Sequence, residues 1–406
     1  MNEMNLHFLQ VLRSALRGEK VNMEGLAPEQ WRELLGIAET HKLLPLVLDA
    51  LRDCPELQSM ELAQLAAFRR QARHHVLMQT LRTGEFLALN RTLRAAGIKP
   101  LVVKGLVCRQ LYPKPDLRPS GDEDVLVSED QFPRCCRLMG EAGMKPGTEE
   151  KEASEIPFRK QGSPLYIELH KNLFEPQSQA CGDLNRFFGN VFENAVELET
   201  GGDRVLTLAP TDHMLYLICH AFKHFLHSGF GIRQVCDIVL FAEKYGSEIC
   251  WEQVLRSCRE IRAERFAAAI FRIGENYLDV AAPEMFRAVA VDEMPMLTDL
   301  LEGGLYGDAS LSRKHSSNIT LEAVAAQKQG KKARGAMGAS VFHPASQLAG
   351  KYPYLKKHSW LLPVAWSQRL WRYARETRSS GDSSAAEALK IGRERVELLR
   401  HYDIIS

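Results

Sequence analysis

The stretch LYPKPDLRPSGDEDVLVSED, residues 111–130, sets Asp122, Glu123 and Asp124 directly against the apolar run Val125, Leu126 and Val127. A valine-rich run after a Pro- and Gly-containing loop predicts a short buried strand, and charges at its mouth are costly unless something offsets them. Residues two apart on a strand share a face. Asp122 and Asp124 are therefore expected to project together, with Glu123 and Val125 pointing the other way. Two carboxylates so close repel unless a cation lies between them. The pattern points to an oxygen-rich site for Mg²⁺ or Mn²⁺, ions that keep waters and recruit phosphate oxygens.

A third acid follows from the same test. In PLYIELHKNLF, residues 164–174, Leu165, Ile167 and Leu169 alternate with Tyr166, Glu168 and His170. The apolar set should face a core, leaving Glu168 and His170 together on the polar side. If this strand lies beside the one carrying Asp122 and Asp124, three carboxylates converge, enough to hold two metal ions for in-line attack on phosphorus. His170 reads as an orienting partner of Glu168 or as a polar edge residue, and the first is favoured.

Just upstream, KPLVVKG (99–105) predicts a strand over Pro100–Val103 halted by Gly105, and LVCRQLYP behind it a helix closed by Pro113. Gly105 lets the backbone come close to an anion, the helix start offers free N–H groups, and Lys104 adds positive charge. Arg118 is a candidate second clamp.

The spacing divides the 406 residues into four regions. Residues 1–95 read as helical, with one long helix ending at Gly97 and an amphipathic helix at the start that lacks a secretory layout. Residues 96–205 form a mixed α/β core, in which a Gly162-Ser163-Pro164 turn joins two strands. Residues 206–300 return to helical periodicity, with Thr211 as N-cap of a helix buried along Met214, Leu215, Ile218 and Phe222. Residues 301–406 hold Gly-, Ser- and Lys-rich loops, including KQGKKARG, and an aromatic, basic tail; Trp360, Trp366 and Trp371 read as packing residues. A stretch SSGDSSAAE reads as a hinge before a last helix.

Charge is balanced, 52 Lys+Arg against 51 Asp+Glu, which excludes wholesale coating of DNA while leaving room for a local basic patch. No apolar run reaches membrane-spanning length, so no membrane is expected as a partner. The nine cysteines include no C-x-x-C pair, so reduced thiols and a cytoplasmic location are expected.

The KG at a strand end, LYPKPDLRPSGDEDVLV beyond it and IELH on a later strand resemble the DNA-polymerase-beta-like nucleotidyltransferase superfamily. More narrowly they resemble its bacterial branch of uncharacterised nucleotidyltransferases. WRELLGIAETHKLLPLVLDAL, CHAFKHFLH, IRQVCDIVLF and YPYLKKHSWLLPVAWSQRLWR extend the likeness along most of the chain. The resemblance implies an α+β fold, a small mixed sheet with helices flanked by helical regions. It implies Asp122 and Asp124 as paired metal ligands, Glu168 as the third acid and Gly105 at the triphosphate-binding turn. The wider superfamily carries Ser after that glycine, where this chain has Leu106. The implied activity is transfer of an NMP from an NTP, ATP foremost, to an acceptor hydroxyl with release of pyrophosphate. The acceptor is a small molecule, a sugar, a protein side chain or an RNA end. A D-x-D glycosyltransferase and an inactive nucleotide-binding relative of the fold are the alternatives.

His213, His220, His224 and His227 crowd one predicted helix without an H-E-x-x-H, so buried or substrate-facing histidines are expected there before a zinc site. His224, Arg233 and Asp237 have two readings. They line the cleft opposite the carboxylates and contact nucleotide, or Arg233 makes an ordinary helix–helix salt bridge.

Overall fold

The molecule is described from a computed structural model, which covers residues 1–147, 155–176, 178, 180–227, 229–304, 320–321, 324, 352–356, 358–368 and 385–406. Helix α1 (Glu3–Leu16) begins where the Asn2 side chain accepts from Asn5 N–H at 2.8 Å, and α2 (Pro28–Thr40) starts on a proline that loses no helical donor. After α3 (Leu44–Ala50) comes α4 (Leu62–Ala95), closed as the sequence predicts by Gly97 at φ +79°, a conformation that glycine adopts without steric cost.

The chain then lays down β1 (Leu101–Val103), the short helix α5 (Gly105–Arg109), β2 (Glu123–Leu126), α6 (Phe132–Glu141), β3 (Met144–Pro146), β4 (Glu155–Lys160) and β5 (Tyr166–His170). A hairpin of β6 (Val196–Thr200) and β7 (Asp203–Thr207) follows. These strands form one mixed sheet ordered β3-β4-β5-β2-β1-β7-β6, the α+β arrangement expected of the core. β2 runs antiparallel to β1 and parallel to β5, and β1 runs parallel to β7.

The register decides the site. Val103 pairs with Asp124 across β1 and β2, and Asp124 pairs with Glu168 across β2 and β5. The end of β1 and two acids thus lie in one row across three adjacent strands. One step further along, Leu126 faces His170, and His170 faces Glu155 on β4.

Helices α7 (Pro210–His227), α8 (Ile232–Tyr245), α9 (Trp251–Glu260), α10 (Glu264–Tyr277), α11 (Glu284–Arg287) and α12 (Met294–Gly303) follow, and α13 (Ala385–His401) lies near the C-terminus. One apolar core joins Phe8 and Leu12 of α1, Leu101–Val103 of β1, Phe222 and Phe225 of α7, and Leu399 of α13. Met214, Leu215, Ile218 and Phe222 are all buried, as the helical spacing predicts.

Several local readings are corrected. Asp122 precedes β2, which begins at Glu123. Helix α7 begins at Pro210, so Thr211 sits inside its first turn, where its hydroxyl accepts from the Cys250 N–H instead of capping. Helix α5 ends at Arg109, well short of Pro113. The short strands β3, β6 and β7 carry no strong alternation in sequence; pairing with their neighbours makes them strands. Trp360 is 75% exposed, since the nearby small cluster of Tyr352, Leu355 and Ala365 closes without it. Trp366 packs partly against that cluster, whereas Trp371, KQGKKARG and most of SSGDSSAAE lie outside the described residues. No described helix is long and apolar enough to cross a membrane.

Candidate active site

Lys104 is the turning point between β1 and α5. A strand continuing past Val103 would send the next side chain to the face opposite Asp124. Instead Lys104 takes φ +65° and ψ −112°, a backbone conformation that costs a non-glycine residue about 1–3 kcal/mol. Its N–H meets His213 Nε2 at 3.4 Å, and His213 Nδ1 lies 3.3 Å from the Thr207 hydroxyl, which donates to Val102 C=O at 2.6 Å. This chain assigns the Nδ1–H tautomer to a neutral His213. Burial keeps that ring neutral, with its pKa lowered to about 3. The result is a buried Lys104 ammonium 3.2 Å from Asp124 Oδ2 and 3.4 Å from His220 Nε2.

Asp124 is only 2% exposed. Burial alone would raise its pKa, but Lys104 and then His170 hold the carboxyl well below the usual carboxylate range. Glu168 beside it goes the other way. Burial first, then the charges of Asp124, Asp122 and Glu155, push it up to about 7. Asp122 is half-buried at the mouth of β2. The neighbouring acids thus divide into one held ionised and one tuned toward neutrality, the pattern of an acid–base site.

His170 completes the cluster. Its Nε2 stands 3.4 Å from Asp124 Oδ1 and 4.0 Å from Glu168 Oε2, and its Nδ1 stands 3.3 Å from Glu155 Oε2. One donor atom each from Asp124, Glu168 and His170 lie within 4.8 Å of one another. Asp124 Oδ2 and His170 Nε2 are buried yet make no hydrogen bond of good geometry. Carboxylates converging on a ring nitrogen in this way suit a divalent cation.

Gly105 is required for a reason the sequence does not disclose. A Cβ there would lie 3.1 Å from Glu123 Cδ and 3.2 Å from the Asp122 carbonyl oxygen. Glu123, on the opposite face of β2 from Asp124, is fully buried. It accepts the Leu106 N–H at 2.9 Å and pairs with Arg109 at 2.6 Å. Glu123 and Arg109 were not candidate site residues, and only the strand alternation hinted at Glu123's direction.

Arg118 and Asp237 are brought to each other. The guanidinium makes paired bonds to the carboxylate at 2.7 and 2.5 Å, and the Tyr112 hydroxyl donates to the same carboxylate at 2.9 Å. This buried cluster ties the loop before β2 to α8. Arg233 reaches the same loop, donating to Pro119 C=O. His224 stands on the side of the carboxylates, its ring tilted against that of His220 at 4.6 Å, and is lowered to about 3 by burial and then by Lys104. Of the three residues read as one cleft wall, His224 lies near the acids, while Asp237 is locked to Arg118 and Arg233 holds the loop before β2.

Arg82 of α4 was also missed. It donates to Pro164 C=O at 3.1 Å and to Ser120 C=O, strapping the turn ahead of β5 to the loop ahead of β2. Gln79 adds a bond to Ser120 N–H at 2.8 Å. Both partners are far away in sequence, so no local pattern announced them.

A family model described as Uncharacterised nucleotidyltransferase matches residues 27–279. The chain belongs to this family. The match takes in every acid of the cluster together with Lys104, Gly105 and the histidines of α7. A search of the curated proteins gives no match. Among solved structures, this family member is similar to an antigenic nucleotidyltransferase-like protein from Paracoccidioides brasiliensis. The identity is 12%, the TM-score 0.30, and the alignment covers 50% of this chain and 93% of that one. A tRNA-processing enzyme in its apo form is similar at 12% identity and TM-score 0.22, over 77% of this chain and 96% of that one.

Proposed function

We propose that the chain transfers an NMP from an NTP to an acceptor hydroxyl and releases pyrophosphate. The observation that carries this reading is the row formed by the end of β1, Asp124 and Glu168 across three strands, with Lys104 turned onto it. Asp122, Asp124 and Glu168 would hold Mg²⁺ or Mn²⁺, and the convergence of Asp124, Glu168 and His170 donor atoms within 4.8 Å of one another fits such an ion. When bound, the ion supplies Lewis-acid stabilisation of phosphoryl oxygens. Lys104 and Gly105 would meet the phosphates, Lys104 as a charge and Gly105 through close backbone approach. Glu168, tuned to about 7, is suited to take the acceptor proton near neutral pH. ATP is the first NTP to test. The acceptor is a small molecule, a sugar, a protein side chain or an RNA end. Nine free cysteines suit a reducing, cytoplasmic setting.

A second reading, nucleotide binding without transfer, draws on Leu106. Its N–H is taken by Glu123, and its side chain carries no hydroxyl for a phosphate. Incubation with Mg²⁺ or Mn²⁺ and each α-labelled NTP, with an acceptor mixture, separates the two. Pyrophosphate release that is lost in Asp124→Ala supports transfer. Metal-dependent NTP binding without release supports the second reading, and turnover of sugar nucleotides in place of NTPs overturns both.

A further inference from the structure

We propose that His170 is itself a metal ligand, forming with Asp124 and Glu168 a mixed nitrogen–oxygen centre that takes Mn²⁺ in preference to Mg²⁺. The inference rests on the reading of this site as a metal-dependent one and names the donor set and the ion.

Asp124 presents its two oxygens to different partners. Oδ2 faces the Lys104 ammonium at 3.2 Å, and Oδ1 faces His170 Nε2 at 3.4 Å. Glu168 Oε2 approaches the same nitrogen at 4.0 Å. These separations are longer than charge-assisted hydrogen bonds. They leave a gap bordered by two carboxylates and a ring nitrogen whose atoms all fall within one small sphere. His170 is 7% exposed, and its Nε2 makes no hydrogen bond.

The other ring nitrogen decides what Nε2 can do. Nδ1 lies 3.3 Å from Glu155 Oε2, opposite it in the register of β4 and β5. A carboxylate behind a histidine holds the proton on the nearer nitrogen and raises the donor strength of the far one, the arrangement that supports metal-bound imidazoles. With the proton on Nδ1, Nε2 has a lone pair to share with Asp124 and Glu168 around one cation. Asp122 has no atom in this set, so the nitrogen is a donor additional to the carboxylates named above. Mg²⁺ demands near-ideal octahedral oxygen geometry and sheds water reluctantly, whereas Mn²⁺ belongs to the first-row series that mixed nitrogen–oxygen sites bind.

Electron spin-echo envelope modulation of Mn²⁺ bound to the full chain, without nucleotide, reads the ligand directly. The expected result is ¹⁴N coupling to bound Mn²⁺, lost in His170→Asn together with a fall in Mn²⁺ affinity of about tenfold or more. In Glu155→Gln the coupling should persist with affinity weakened by about tenfold. Mg²⁺ should displace Mn²⁺ poorly from the wild type and more readily from His170→Asn. Absent ¹⁴N coupling in the wild type, or coupling that survives in His170→Asn, overturns the proposal and leaves His170 a polar neighbour of the acids. Either of those results leaves the nucleotidyl-transfer reading standing. Pyrophosphate assays test that reading separately.

Discussion

The carboxylate of Glu123 lies where a side chain at residue 105 would have to go. One of its oxygens takes the Leu106 N–H at 2.9 Å and the other pairs with Arg109 at 2.6 Å, both residues fully buried. The glycine at the strand-to-helix turn therefore serves an internal anion of the protein, whatever else it meets.

This makes Gly105→Ala a structural substitution as well as a functional one. Because the obstruction is a paired carboxylate and a backbone carbonyl, neither yields without breaking other contacts. We expect a loss of about 1–3 kcal/mol, the range for overpacking a tight site. Thermal unfolding without ligand checks it, and an unchanged midpoint would show that Glu123 moves aside freely.

Arg118 and Asp237 give a second test, because their bidentate pair is buried at 1% and 4% side-chain exposure. Removing one partner strands the other charge, so Arg118→Ala should cost about 3–5 kcal/mol, whereas Arg118→Met with Asp237→Leu should recover much of that loss. Denaturant titration measures both. If Arg118 instead serves nucleotide, the single variant would keep its stability and lose NTP affinity.

How far the sequence disclosed these features depends on sequence distance. Alternation within PLYIELH was enough to put Glu168 and His170 on one face, and the Gly162 turn was enough to pair β4 with β5. The D-x-D pattern correctly separated Glu123 from Asp124. What lay beyond reach were partners set by the sheet order. No local spacing tells that Asp124 will pair with Val103 on one side and Glu168 on the other, or that Arg82 will bridge two loops from a helix. The inverted backbone at Lys104 was hidden for a related reason. Lysine has no preference for positive φ, and the turn is imposed by the His213 and Thr207 chain behind it.

Buried neutral histidines give the last prediction. Burial lowers His41 to about 4 and His213 to about 3, and burial followed by Lys104 lowers His224 to about 3. The ordinary histidine value of 6.5 applies to the unfolded chain. Above pH 6.5 neither state binds the proton, and the stability of the folded form is fully present. As pH falls below 6.5 the unfolded chain takes up protons that these buried rings refuse, and stability is lost until the folded values near 3–4 are reached. Each such ring should cost about 1.4 kcal/mol per pH unit over that window. His41 packs on Phe8 at 5.7 Å and belongs to the N-terminal helices, so it isolates the effect. In His41→Leu, urea unfolding at pH 7 and pH 5.5 should show a smaller acid loss than the wild type by about 1 kcal/mol. Equal losses in the two proteins would mean that His41 is protonated in the folded state.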